Sequence, residues 1–199
     1  MLKFENFIAE VWSNRIPPKR DPIVSSSQQF DQPTVFMRNA EHLGSVGSLN
    51  LYSSKTAGGG MTHFTWSPSD KKIHHVLYSA NATPTKDDGV VLKYLSAHGR
   101  KNSPVKMSDV YTSLVNDHNR TMVATSHSPG AQSMWNRFHD NPDLQVHGFH
   151  KDTNELKPLS KDDSKYVQYG DKDPQNKRLG NMRLILSKTG SEPDPTTLS

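Results

Sequence analysis

Three consecutive segments of the chain alternate apolar residues with small or polar ones. They cover residues 45–52, 61–66 and 73–80, and a period of two is typical of β-strands with one face buried. Three glycines at residues 58–60 separate the first two segments, and a Ser-Pro-Ser-Asp turn at residues 67–70 separates the second from the third. The pattern predicts three antiparallel strands.

Two later segments repeat apolar residues at helical spacing, each after a Ser-Pro pair that supplies a helix cap and a proline at the first helical position. The pairs are Ser103-Pro104 and Ser128-Pro129, and the apolar series that follow them are Met107, Val110, Tyr111, Leu114 and Val115, and Ala131, Met134, Trp135 and Phe138. Asn141-Pro142 ends the second helix. Apolar runs at residues 121–125, 144–149 and 181–186 predict further strands.

The order of these elements predicts an α+β domain over residues 35–188, with a mixed, mostly antiparallel sheet covered by two main helices. Residues 13–34 are rich in Pro, Ser and Gln, which is typical of a linker or an extended arm. The charged residues 151–179 predict a surface insertion or flap, and residues 189–199 predict a disordered tail.

Residues 1–12 form a separate pattern. Phe4, Phe7, Ile8 and Val11 stand at i, i+3, i+4 and i+7, which gathers them on one face of a short amphipathic helix. Three prolines shortly after this segment prevent the helix from continuing. The segment is either a targeting peptide or an ordinary N-terminal helix that docks on the domain.

Phe7-Ile8-Ala9-Glu10 resembles the string found in capsid-targeting peptides of internal head proteins of T-even-type tailed phages. The resemblance implies that a prohead protease recognises Ile8 and Glu10 and cuts after Glu10, so that the mature chain begins at Val11. It further implies the prohead protease and the head scaffold as partners, and a location in the virion interior or the host cytoplasm.

The predicted domain resembles the Gcn5-related N-acetyltransferase fold, abbreviated GNAT. Ala131, Trp135 and the pair Gly148-Phe149 stand where that family has an alanine, an aromatic residue and a Gly-Phe pair, and residues 125–138 look like a segment of acetyltransferase-like phage proteins. The resemblance implies transfer of an acetyl group from acetyl-coenzyme A to an amine. It makes the protein an acetyltransferase candidate and leaves open whether it is an enzyme.

In that family, backbone amides of a glycine-rich loop at a helix N-terminus bind the coenzyme A pyrophosphate. The corresponding stretch here lacks the second glycine, and Pro104 removes one amide donor. The resemblance then implies that Arg100, Lys101 and the amides near Ser103 and Val105 bind the pyrophosphate.

No catalytic residue follows from the sequence. The family often uses a tyrosine on the late helix as its general acid, but Trp135 stands there, and an indole N–H does not act as an acid near neutral pH. Tyr111 is the nearest phenol, although its helical spacing also fits a core position.

Composition narrows the chemistry. The chain has no cysteine, which excludes disulfides and zinc sites with thiolate ligands. Its ten histidines include no His-Glu-x-x-His motif. We therefore predict no bound metal ion. His63-Phe64-Thr65 resembles half of the signature of two-histidine phosphodiesterases, but no second copy exists, which favours a surface histidine on a hairpin. The chain also lacks an apolar run long enough for a signal peptide or a membrane span.

A net charge of +4 permits attraction to nucleic acid. The alternative to an acetyltransferase is therefore a non-catalytic internal head protein that binds packaged DNA or inhibits a host defence protein.

Overall fold

The computed structural model describes residue 37 and residues 39–124, 131–164 and 182–198. These residues contain nine strands: β1 (Glu41–Val46), β2 (Leu49–Lys55), β3 (Met61–Ser67), β4 (Lys72–Pro84), β5 (Val90–Gly99), β6 (Arg120–Ala124), β7 (Leu144–His150), β8 (Glu155–Pro158) and β9 (Met182–Lys188). They also contain four helices: α1 (Met107–Asn116), α2 (Gln132–His139), α3 (Lys161–Ser164) and α4 (Pro195–Leu198). None of the described helices is long and apolar enough to cross a membrane.

All nine strands belong to one open sheet with the order β1-β2-β3-β4-β5-β6-β9-β7-β8. Neighbouring strands are antiparallel except β5 and β6, which are parallel and are connected through α1. The predicted α+β class with a mixed, mostly antiparallel sheet is confirmed.

The main core lies between the sheet and the helices α1 and α2. Tyr111 of α1 contacts Phe138 of α2 with ring centroids 5.6 Å apart, and Trp135 meets Phe138 edge-on at 5.4 Å. Leu92 and Met122 pack in this core, whereas the adjacent Val91 and Val123 pack in a second cluster. Because neighbouring residues of a strand point to opposite faces, the second cluster lies on the other face of the sheet.

The first alternating segment, residues 45–52, was predicted as one strand, and this is wrong. The chain turns at Gly47, whose φ of +57° is in the left-handed region that favours glycine, so β1 ends before it and β2 begins after it. β5 was not predicted at all, although it pairs with β4 along nearly its whole length.

The first predicted helix begins later than its Ser-Pro signal. α1 starts at Met107 with Lys106 as its cap residue, because the carboxylate of Asp109 accepts the Lys106 backbone N–H at 3.2 Å. α2 ends at His139, close to the predicted stop. Its predicted start at residues 128 and 129 lies outside the described residues.

The prediction of a disordered tail over residues 189–199 differs from the structure, in which the helix α4 lies within residues 189–198. Leu198 is 2% exposed and packs with Val91 and Phe149, which explains why this segment is ordered against the sheet. The start of the predicted insertion forms β8, which pairs with β7. The rest of that insertion from residue 165, the predicted helix over residues 1–12 and the arm over residues 13–34 lie outside the described residues.

Candidate functional site

The parallel strands β5 and β6 pair only over their first residues, and this creates an opening in the sheet. Pairing covers Val90–Lys93 of β5 and Arg120–Val123 of β6, but β5 continues to Gly99. Residues 95–99 pair with β4 on one side, and no strand among the described residues pairs with the other side of residues 94–99. We call this open edge of β5, residues 94–99, the notch. Ligands of sheets with parallel strands commonly bind beyond the carboxyl ends of those strands.

The loop that follows the notch is fastened to β4. The backbone N–H of Arg100 donates to the carbonyl of His74 at 2.8 Å, and its side-chain Nε donates to the carbonyl of Ile73 at 2.7 Å. The Ser103 N–H then donates to the Arg100 carbonyl at 3.2 Å and closes a turn. Residues 100–106 therefore have a defined course between β5 and α1.

The four predicted cofactor-binding residues, Arg100, Lys101, Ser103 and Val105, lie in this one loop, but they differ in how far their side chains are exposed. Lys101 is exposed, while Val105 is 8% exposed and packs in the core. The Val105 N–H donates to the Ser103 hydroxyl at 3.4 Å, and the Lys106 N–H is bonded to Asp109. Amides that already have acceptors within the protein are weaker donors to a phosphate, so the positive side chains are the stronger anion contacts of this loop.

The sheet brings together further cations that the sequence analysis missed. Lys93 is the last residue of β5 paired with β6. Burial, with a smaller effect of the charge on Lys151, lowers the pKa of Lys93. The strand register places Lys93 and Arg183 on one face of the sheet, opposite the main core. These residues are far apart in the sequence, and only the register shows that they share one face of the sheet, on strands separated by β6.

Tyr111, the candidate general acid, is a core residue. It is 4% exposed and its ring lies against Phe138. Burial raises the pKa of its hydroxyl above the ordinary value. Trp135 is also buried, at 2% exposure, so Tyr111 and Trp135 both contribute to core packing.

His63 is not the surface residue that the sequence predicted. It is fully buried in β3, and neither ring nitrogen has a hydrogen-bond partner in the part of the chain that the structure describes. Burial, with smaller effects of the charges on Arg120 and His118, lowers the pKa of His63 to about 3. Within the described part of the chain, no three His, Asp, Glu or Cys side chains are arranged to hold a metal ion.

A cleft of about 350 Å³ lies between the turn after β1 and the exposed side of α1. Its lining includes Asp109 and Asp117 and no Lys or Arg. An acidic lining repels phosphate, so this cleft does not compete with the notch as a site for an anionic cofactor.

Comparison of the chain with protein-family models gave no match, and neither did comparison with curated proteins or with solved structures.

Proposed function

We propose that the protein binds acetyl-coenzyme A along the notch and transfers the acetyl group to an amine. The observation that carries this proposal is the open edge of β5 beyond the parallel pair. The order of strand, helix, strand, helix and strand from β5 to β7 supports the GNAT resemblance.

The open edge suits the pantetheine arm of coenzyme A because that arm contains two amide groups. A strand edge beside which no described strand lies offers backbone N–H and C=O groups that bind an extended amide chain as they would bind another strand. Six residues of strand extend about 20 Å, which is long enough to align such an arm.

Cations at the end of this edge favour the phosphates. The guanidinium of Arg100 is oriented by its Nε bond to the Ile73 carbonyl, and Lys101 is exposed beside it. The loop also leads into the N-terminus of α1, whose dipole favours negative charge. In this proposal Arg100 and Lys101 hold the pyrophosphate, and the segment from Ser103 to Val105 orients the loop.

In the reaction, the amine nitrogen attacks the thioester carbonyl, the C–S bond breaks, the nitrogen loses a proton and the coenzyme thiolate gains one. Tyr111, the candidate general acid, is too deeply buried to supply that proton. The proposal therefore assigns binding and orientation to the notch and leaves the general acid unassigned.

The Ile8 and Glu10 motif supports a further part of the proposal, namely that this is a tailed-phage protein which is cut after Glu10 and packaged, or which acts in the host cytoplasm. Mass spectrometry of the N-terminal peptide in purified particles tests it. A chain that begins at Val11 supports packaging, and an intact Met1 in particles contradicts the cut.

A second function, DNA binding without catalysis, is favoured by Lys93, Lys151 and Arg183 near the carboxyl ends of the parallel pair. Contacts to three phosphates predict an affinity that falls with salt with a logarithmic slope of about −2.7. A salt-dependent affinity for duplex DNA that falls in the Lys151→Gln and Arg183→Gln variants, without coenzyme A binding, supports this second function instead of the first.

Calorimetric titration of the full-length chain with acetyl-coenzyme A tests the proposed function. We expect micromolar affinity in the wild type and a loss of at least tenfold in the Arg100→Ala/Lys101→Ala variant, because charge-assisted contacts contribute about 1.5–3 kcal/mol each. Lys188→Ala is the matched control, since Lys188 is exposed at the other end of β9. Wild-type protein that binds no coenzyme overturns the proposal.

A further inference from the structure

Three polar residues form a row across the first three strands. Glu41 of β1 lies directly opposite Ser53 of β2, and Ser53 lies directly opposite His63 of β3. Directly opposed residues of neighbouring strands project from the same face of a sheet. Ser53 is 3% exposed and His63 is fully buried, so the row passes from an exposed carboxylate into the interior.

Two residues act on this row, His118 from the α1–β6 connection and Arg120, the first residue of β6. The charges of Arg120 and His118 interact electrostatically with His63. The charge of Glu41 interacts in the same way with both Arg120 and His118. Asp117, next to His118 in the chain, also acts on His118. We call Glu41, Ser53, His63, His118 and Arg120 the His63 cluster.

Several buried polar atoms of the His63 cluster lack a hydrogen-bond partner among the described residues. Both ring nitrogens of His63, the hydroxyl of Ser53 and Nε of Arg120 are buried without hydrogen-bond partners in the described part of the chain. The neighbour of His63 on β4 is the apolar Leu77, which offers no side-chain acceptor. A neutral imidazole tolerates this setting better than an imidazolium does, because a buried charge without an acceptor and near an arginine is strongly unfavourable.

We propose that the His63 cluster is an acid-sensitive latch, which holds β1–β3 against the connection between α1 and β6 at neutral pH and releases it when His63 and His118 take up protons. Protonation would add two positive charges beside Arg120. The opposing carboxylates, Glu41 and Asp117, are exposed at the rim, where water weakens their attraction.

The number of protons taken up on opening determines how strongly the opening equilibrium depends on pH. In the released form the histidines titrate near their ordinary pKa of 6.5, whereas the pKa of His63 is about 3 in the closed form. Between these values each proton taken up on opening raises the opening constant by up to tenfold per pH unit. The pKa of His118 is also lowered, mainly by burial, so its proton uptake adds to this dependence in the same direction.

Amide hydrogen exchange of the full-length protein between pH 7 and pH 5, corrected for intrinsic rates, tests the latch. We expect the amides of β1, β2 and β3 to open with an uptake of one to two protons while β7 and β9 stay protected. His63→Leu removes both unpartnered nitrogens and is expected to lower the uptake by one proton. Opening of all strands together, or an unchanged slope in His63→Leu, overturns the proposal.

Two further variants keep the test decisive. His147→Leu removes another buried histidine, on β7, and is expected to leave the opening of β2 and β3 unchanged. His118→Gln acts on a half-buried residue, so it remains informative if His63→Leu does not fold. It is expected to remove part of the proton uptake, and an unchanged uptake counts against the latch.

Discussion

Nδ1 of His75 lies 2.8 Å from the hydroxyl oxygen of Thr65, and these two buried residues face each other across β3 and β4. Burial is the main cause that lowers the pKa of His75, to about 4. His63, two residues before Thr65 on β3, is as deeply buried but has no such partner. His75 is therefore a buried histidine with a hydrogen bond, whereas His63 has none to the described residues.

Removal of the Thr65 hydroxyl is expected to destabilise the protein. Thr65→Val keeps the side-chain shape but leaves Nδ1 of His75 buried without its partner, at a cost of about 1–3 kcal/mol. Chemical denaturation of the variant measures this cost. Ser53→Ala is the control, because the Ser53 hydroxyl has no partner to lose, and its stability should change little. Equal losses in the two variants would contradict this interpretation.

Stability should decrease in mild acid. The folded-state pKa values of His63 and His75 are depressed to about 3 and about 4 from 6.5, so unfolding takes up protons below pH 6.5. Their full contribution to stability is present above pH 6.5 and is lost as the pH falls through this window. Each histidine contributes a slope of up to about 1.4 kcal/mol per pH unit. Urea titrations at pH 8, 7, 6 and 5 measure the slope, and a flat profile below pH 6.5 would disprove the assignment.

Tyr111→Phe separates a core role from a catalytic one. The hydroxyl is buried among core residues, so we expect acetyl transfer to be unchanged and the free energy of unfolding to change by less than about 1.5 kcal/mol. Phe138→Ala, by contrast, should cost about 3–5 kcal/mol because it empties the space against Tyr111 and Trp135. A large loss of activity in a stable Tyr111→Phe protein would show that the phenol is catalytic.

Gly60 is needed for the close approach of the second hairpin to β4. A Cβ there would lie 2.1 Å from the Ser79 carbonyl oxygen and 2.8 Å from that of Ala80, and backbone atoms cannot move aside easily. Gly60→Ala should cost about 1–3 kcal/mol or more, as overpacking does. Gly58→Ala meets nothing within 4 Å and should be near neutral. Thermal unfolding of both variants makes the comparison.

Local patterns in the sequence predicted the elements that have clear periodicity. β3, β7 and the apolar face of α1 follow directly from their alternating or helical spacing. β5 was missed because its sequence, Val-Val-Leu-Lys-Tyr-Leu-Ser-Ala-His-Gly, has no strict alternation. A strand whose residues pack on both faces of the sheet, as Val91 and Leu92 do, needs none.

The candidate site was predictable only in part. The loop with Arg100 and Lys101 follows from a resemblance and from its place before a helix. The notch does not, since it depends on where β5 and β6 stop pairing. The burial of His63 was also hidden, because a His-x-Thr pattern looks the same on an exposed hairpin and on a covered strand.

The central claim is that the open edge of β5 binds acetyl-coenzyme A. The most direct measurement is a titration of the ¹⁵N-labelled full-length protein with acetyl-coenzyme A, followed by amide chemical shifts. We predict saturable shifts that concentrate in residues 94–106, with the amides of β1 and of β8 unaffected. Spectra that do not change at millimolar coenzyme, or shifts that exclude residues 94–106, would contradict the claim.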